Sequence, residues 1–139
     1  MNAILSINPK YADMILSGNK TFELRRAIFQ KDVDKVFIYA TAPISKVVGE
    51  FKIAELLECN AGLLWLQVAG SAGVSKEKFY QYFEGKKRGY AIKVKGVKEY
   101  VVPFSLIADF NIPTAPQNFC YTERVHDGVK IKSTQGMLF

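Results

Sequence analysis

Apolar and polar positions alternate with two different periods along this chain, and the switches between them mark the elements. The run Ala3-Ile-Leu-Ser-Ile7 is nearly all apolar and predicts a buried strand. In the following Asn8-Pro-Lys-Tyr-Ala-Asp-Met-Ile-Leu-Ser-Gly18 the apolar residues Tyr11, Ala12, Ile15 and Leu16 recur at helical spacing. Asn8 suits the N-cap, Pro9 the first helical position and Gly18 the left-handed residue after the last turn. From Lys20 to Ala27 the period falls to two: Phe22 and Leu24 point one way, and Thr21, Glu23 and Arg25 the other.

Two β-branched and aromatic stretches, residues 35–41 and 46–58, flank a turn at Ala42-Pro-Ile-Ser45 and predict long antiparallel strands, with Gly49 at a bulge or close backbone approach. Helices are expected from Asn60 to Gly70 and from Ser75 to Gly85, the second with Phe79, Tyr82 and Phe83 sharing a face. A basic connector, Lys86-Lys-Arg-Gly89, leads into a strand over residues 90–102, where Ala91 and Lys93 are expected to face away from Ile92 and Val94. Residues 103–110 read as a helical turn and residues 114–125 as a last extended segment. The order β-α-β-β-β-α-α-β-turn-β predicts an α+β fold: a small β-barrel of five or six mostly antiparallel strands with two or three packed helices. Residues 1–122 make one domain, and 123–139 a C-terminal tail or a hairpin around Asp127-Gly128.

Composition narrows the functional classes. With 139 residues, 49% hydrophobic and 23% charged, the chain has one globular core and no repeat, low-complexity tract or linker. Its formal net charge of +6 favours an anionic partner such as RNA, DNA or a nucleotide. Cys59 and Cys120 lie far apart without metal-ligand spacing, and read as packed, reduced thiols. The single histidine, His126, leaves neither a His-rich metal site nor a Ser-His-Asp triad. No metal or cofactor motif is present, and no window resembles a signal peptide or a membrane span, so cytoplasmic residence without a membrane partner is the expectation.

The chemistry concentrates in Ser17-Gly-Asn-Lys-Thr-Phe-Glu-Leu-Arg-Arg26. Gly18 reverses the chain and leaves Lys20 at the corner between helix and strand. Glu23 and Arg25 then share a strand face with Thr21, about 7 Å apart along the strand. A carboxylate between cations stays ionised and can accept from a base's amino or imino group. Arg25 can fork onto a phosphate or a base edge, and Lys20 adds a mobile positive charge. Arg26 falls on the opposite face, as a rim charge. The competing reading is a solvated Glu-Lys-Arg surface network.

Gly18-x-Lys20-x-x-Glu23-x-Arg25 matches the GxKxxExR signature of the ASCH family of the PUA-like superfamily, and the resemblance extends over roughly Asn2 to Tyr121 through "LSINPKYADMILSG", "VFIYATAPISKVVGEF", "GYAIKV" and "PQNFCY". It implies a PUA-like β-barrel with a cleft that binds RNA or a nucleotide-like ligand, as a binding and regulatory domain. The ligand-binding residues are then Lys20, Thr21, Glu23, Arg25, Tyr39, Tyr90 and Tyr121, with Lys86, Lys87 and Arg88 on phosphates. Tyrosines at strand ends can stack on bases and donate from their hydroxyls.

Some ASCH-like proteins hydrolyse acetylated cytidine or act as ribonucleases. For an enzyme, Lys20 and Glu23 would be the catalytic pair. The acetyl-cytidine hydrolases are associated with a Lys, a Thr and a Glu. The lysine maps to Lys20, but the threonine position is filled here by Glu23, so the hydroxyl is missing, and the glutamate could fall at Glu77 or Glu84. A protein-interaction module is the third reading.

Overall fold

In the computed structural model, residues 1–124 and 129–132 are described. Their elements follow the expected order: β1 (Asn2–Ile7), α1 (Pro9–Ser17), β2 (Phe22–Arg25), β3 (Lys35–Ala40), β4 (Lys46–Cys59), α2 (Ala61–Val68), α3 (Lys76–Tyr82), β5 (Gly89–Phe104), α4 (Leu106–Phe110) and β6 (Phe119–Thr122). The six strands form one curled half-barrel sheet in the order β2-β5-β4-β3-β1-β6. Only the β1–β3 pair is parallel, because α1 and β2 intervene and carry the chain back; the other pairs are antiparallel.

The caps stop the helices where the sequence places them. The Asn8 side chain accepts from the Lys10 amide, and Gly18 ends α1 at φ 86°, a conformation that a side chain disfavours. Asn60, Ser75 and Ser105 cap α2, α3 and α4 in the same way. Gly49 is a close approach. A Cβ there would sit 2.5 Å from the Lys98 carbonyl oxygen, and the β3–β4 and β4–β5 registers both shift nearby.

Strand alternation divides the buried side chains among three clusters. Ala3, Leu5 and Ile7 of β1, Val36 and Ile38 of β3, and Ile92 of β5 pack on the inner face under Ala12 and Ile15 of α1. Ile4, Phe37, Tyr39 and Tyr100 pack on the other face against Leu106 and Phe110 of α4. Leu24 and Ala91 meet Leu64 and Val68 of α2 and Phe79 and Phe83 of α3.

Ala91 faces away from Ile92, as the alternation requires, and is just as buried, because α2 and α3 cover that face as well. Two expectations change. Tyr82 does not share the buried face of Phe79 and Phe83: it is 39% exposed, and its hydroxyl donates to the Leu24 carbonyl of β2. The last extended segment is shorter than residues 114–125, since only Phe119–Thr122 pairs with β1. Further on, Lys130 accepts from the Val101 amide, and Lys132 donates to the Glu99 carbonyl of β5. The hairpin expected around Asp127-Gly128, and His126, lie outside the described residues. No helix among the described residues is long and apolar enough to cross a membrane.

Candidate functional site

β2 and β6 are the two edges of the sheet, and the curl brings them within reach of one side chain. Arg25 on β2 donates from Nη1 to the Ser6 carbonyl of β1 at 3.3 Å. From Nη2 it donates to the carbonyl of Asn118, the residue just before β6, at 3.3 Å, and also to the Asn118 side-chain oxygen. Ser6 is tied to the same loop: its amide donates to the Asn118 carbonyl and its hydroxyl to the Pro116 carbonyl. A guanidinium therefore latches the open seam of the half-barrel, a task suited to its rigid, planar array of donors.

Behind this latch, Arg25 Nη1 also contacts Glu23 Oε2 at 3.0 Å, and Glu23 Oε1 lies 3.5 Å from Lys20 Nζ. Lys20 donates in addition to the Ala72 carbonyl at 2.5 Å and stands 5.3 Å from the centre of the Tyr11 ring. The three charged residues are 2%, 5% and 9% exposed for Lys20, Glu23 and Arg25, so the solvated-network reading fails. Lys20 is no mobile charge either. The α2–α3 connection covers it, and Gly73 packs so close that a Cβ there would sit 3.4 Å from Lys20 Cδ. Desolvation dominates its electrostatics and lowers its pKa below the ordinary lysine value, against the pull of Glu23.

The cluster forms the polar end of a cavity of about 580 Å³ between the β1–α1 junction, β2 and α3. Ser6, Ile7 and Asn8 line one side, Tyr11 comes from α1, and Lys78, Phe79, Gln81 and Tyr82 come from α3. Periodicity explains the placement. The Glu23/Arg25 face of β2 points into the barrel, where the seam leaves a gap, while the Leu24 face packs under α3. A cavity of this size, mostly apolar with convergent polar groups at one end, lies in the size range of small-molecule pockets.

The remaining sequence candidates lie elsewhere. The Thr21 hydroxyl points to the Ser71 carbonyl at 3.5 Å, and Thr21 does not line the cavity. Tyr39 is buried on the α4 side of the sheet. Tyr90 pairs with Arg25 across β2 and β5 but stays outside the cavity lining. Tyr121 packs with Phe29 and Phe119, and its hydroxyl accepts from the Gln30 amide. Lys86, Lys87 and Arg88 are exposed on the α3–β5 connection, with Arg88 3.9 Å from Glu58. Glu77 and Glu84 are exposed and outside the lining. Arg26 is exposed, as the alternation requires, and donates to the Tyr82 carbonyl at the end of α3.

The geometry adds Ser6, Tyr11, Lys78, Tyr82 and Asn118 to the candidate site. Tyr11 and Tyr82 carry helical-face signals that point equally to a core, and Asn118 sits inside the family-like "PQNFCY" without a local reason to single it out. Among the described residues, no three His, Cys, Asp or Glu side chains are grouped to hold a metal ion.

Comparison with known proteins agrees with the fold. The crystal structure of ASCH from Zymomonas mobilis superposes with a TM-score of 0.81 at 26% identity, covering 88% of each chain. An ASCH domain-containing ribonuclease of Zymomonas mobilis subsp. mobilis is 31% identical over 94 residues, 67% of this chain and 64% of that protein. A stretch of the ATP synthase subunit alpha of Ureaplasma parvum serovar 3 is 29% identical over 119 residues, 85% of this chain but 15% of that protein. The chain therefore spans less than two thirds of either curated relative. The ASCH domain model matches residues 5–106, taking in the end of β1, the GxKxxExR corner and β2 to β5 with the helices between them, and the chain belongs to the ASCH domain family.

Proposed function

We propose that this chain is a single-stranded RNA-binding domain that takes one nucleotide of the RNA into the cavity beside Lys20, Glu23 and Arg25, and that its role is regulatory. The observation that carries this reading is the buried cluster itself: two cations share one carboxylate at the end of an aromatic-lined cavity. Burying such a group costs several kcal/mol that an apolar seam would not incur (order of magnitude from). Tyr11 and Tyr82 offer ring surface on which a splayed base can stack, as single-stranded RNA sites commonly require. Exposed Lys78 lines the cavity and exposed Lys10 stands 6.0 Å from the centre of the Tyr11 ring, and the net charge of +6 favours an RNA backbone.

Fluorescence anisotropy with labelled single-stranded RNA tests the proposal. Glu23→Gln and Tyr82→Ala should each weaken binding by about tenfold, roughly one charge-assisted hydrogen bond or one stacked base. Unchanged affinity in both would refute the cavity as the site.

A second reading, RNA cleavage in the same cavity, draws support from the ribonuclease relative and from the lysine whose pKa is lowered beside a carboxylate. Lys20 and Glu23 would then divide the acid and base roles. Incubating the RNA with excess wild-type chain separates the two. Intact RNA after many binding lifetimes supports the binder; fragments that disappear with Glu23→Gln support the nuclease.

A further inference from the structure

Counting the hydrogen-bond capacity left in the cluster sharpens which part of a nucleotide it can hold; this rests on the RNA-binding reading above. A guanidinium has five N–H donors. The four on Nη1 and Nη2 have acceptors in Glu23, Ser6 and Asn118, and the fifth, Nε–H, is buried without a partner. Arg25 therefore has no two-pronged edge left for a phosphate, and Asn118 is the residue that occupies its outer end. Lys20 has three donors. One goes to the Ala72 carbonyl and one lies towards Glu23 Oε1, which leaves one. Glu23 has about four lone-pair sites. Lys20 occupies one on Oε1 and Arg25 one on Oε2, so each oxygen keeps one.

The vacant groups thus run in the order donor, acceptor, acceptor: Lys20 Nζ, Glu23 Oε1, Glu23 Oε2. A phosphate, which carries acceptors only, meets two acceptors and one donor. The Watson–Crick edge of guanine runs O6, N1–H, N2–H, which is acceptor, donor, donor, and N1 and N2 are spaced like the two oxygens of a carboxylate. Adenine and cytosine set a ring-nitrogen acceptor against Oε1. Uracil sets its O2 against Oε2. We propose that the Lys20–Glu23–Arg25 end of the cavity reads the Watson–Crick edge of a guanine, with Arg25 locked by Asn118 as a prop for Glu23 and the phosphates kept at the rim near Lys78 and Lys10. The base then lies between the Tyr11 and Tyr82 walls, and the cavity of about 580 Å³ has room for the nucleoside.

The first test varies the ligand, so no variant has to fold. Isothermal titration calorimetry of the wild-type chain with the 5′-monophosphates of guanosine, inosine, adenosine, cytidine and uridine, and with ribose 5-phosphate, isolates the base. The guanosine nucleotide should bind tightest. The inosine nucleotide, lacking only the N2 amine, should bind about tenfold weaker, the effect of one charge-assisted hydrogen bond. The other three should be weaker still, and ribose 5-phosphate should give no heat. If an adenosine, cytidine or uridine nucleotide equals the guanosine nucleotide, or ribose 5-phosphate does, the guanine assignment is overturned. Labelled RNA that still binds in that case leaves the RNA-binding proposal standing. If neither labelled RNA nor any nucleotide binds, both fall. With Glu23→Gln, whose amide offers one acceptor and adds a donor, the preference for guanosine over inosine should collapse, with circular dichroism to verify the fold. Retained preference in a folded Glu23→Gln protein also overturns the assignment.

Discussion

Two glutamates are almost equally buried in this protein and do different work. Glu50, at 6% exposure, accepts from the Tyr100 hydroxyl at 2.9 Å and pairs with Lys35 at 3.3 Å. Lys35 keeps its head partly exposed, one charge answers one charge, and neither Glu50 nor its partners line the cavity. Glu23, at 5%, sits between two cations that are themselves buried, at the end of an open cavity. Burial of a carboxylate is therefore no sign of a site. The distinguishing features are the surplus cation and the lone pairs left without a partner on a carboxylate that lines the cavity. One cluster welds β3, β4 and β5 on the α4 side; the other closes the seam and leaves hydrogen-bonding capacity over.

Mutations should separate the two clusters, and the largest effect should come from the latch. Arg25→Ala leaves Glu23 beside Lys20 alone and opens the Ser6 and Asn118 carbonyls, so it should destabilise by about 3–5 kcal/mol, the range for breaking a buried pair. Chemical denaturation should show this as a lowered midpoint, and RNA binding should be lost with it. Glu50→Ala strands the Tyr100 hydroxyl and costs about 1–3 kcal/mol. It should leave RNA affinity in the folded protein unchanged. Equal loss of affinity in both variants would erase the distinction between weld and site.

The pH dependence of stability is a finer probe. Burial lowers the pKa of Lys20, so in the folded state it sheds its proton before an unfolded lysine would. Between that lowered pKa and the ordinary value of 10.5 the unfolded chain binds more protons, and stability contributed by this group should rise with pH. Tyr100 acts in the opposite sense. Its pKa is raised far above the tyrosine range, first by burial and then by Glu50, so its contribution is full below the ordinary tyrosine value and is lost above about pH 10 as the unfolded phenol ionises. Thermal melts across the alkaline range should thus show a rise followed by a fall. Lys20→Met should flatten the rise, and Tyr100→Phe should lessen the fall, to which Tyr82 and Cys120, both raised by burial, also contribute. A rise that persists in Lys20→Met would remove the basis for treating this lysine as desolvated.

The smallest effect belongs to the rim. Lys78→Ala should leave stability within about 0.5 kcal/mol of wild type, as for exposed substitutions generally. It should weaken RNA binding modestly and reduce the slope of affinity against salt by roughly one contact. An unaltered salt slope would move the phosphate path away from α3.

Much of the fold was legible because its signals are local. Caps at Asn8, Asn60 and Ser75, the break at Gly18 and the period-two alternation of β2 need only neighbouring residues to be understood. The burial of Ala91 was not legible because helices from elsewhere decide whether its face is covered, and Tyr82 was misplaced because its hydroxyl reaches the Leu24 carbonyl of β2. In the candidate site, the alternation already separated Glu23 and Arg25 from Arg26. It could not tell whether their face met solvent or the inside of a barrel. Tyr39 and Tyr90 lie near strand ends as expected, but a strand end opens on the cavity only if sheet curvature turns it that way.

By itself the sequence determined the order of elements, the helix ends, the split of charges on β2 and membership of a family through GxKxxExR, because periodicity, capping and short spacings are properties of a chain segment. Only the tertiary structure decided that the two edges of the sheet meet. That meeting brings Asn118 and Ser6 onto Arg25 across 93 and 19 residues of chain. It buries Lys20 beneath Ala72 and leaves Glu23 with acceptors to spare at the end of a cavity. Long-range closure of this kind depends on the summed twist and curl of six strands, which no single stretch of residues encodes.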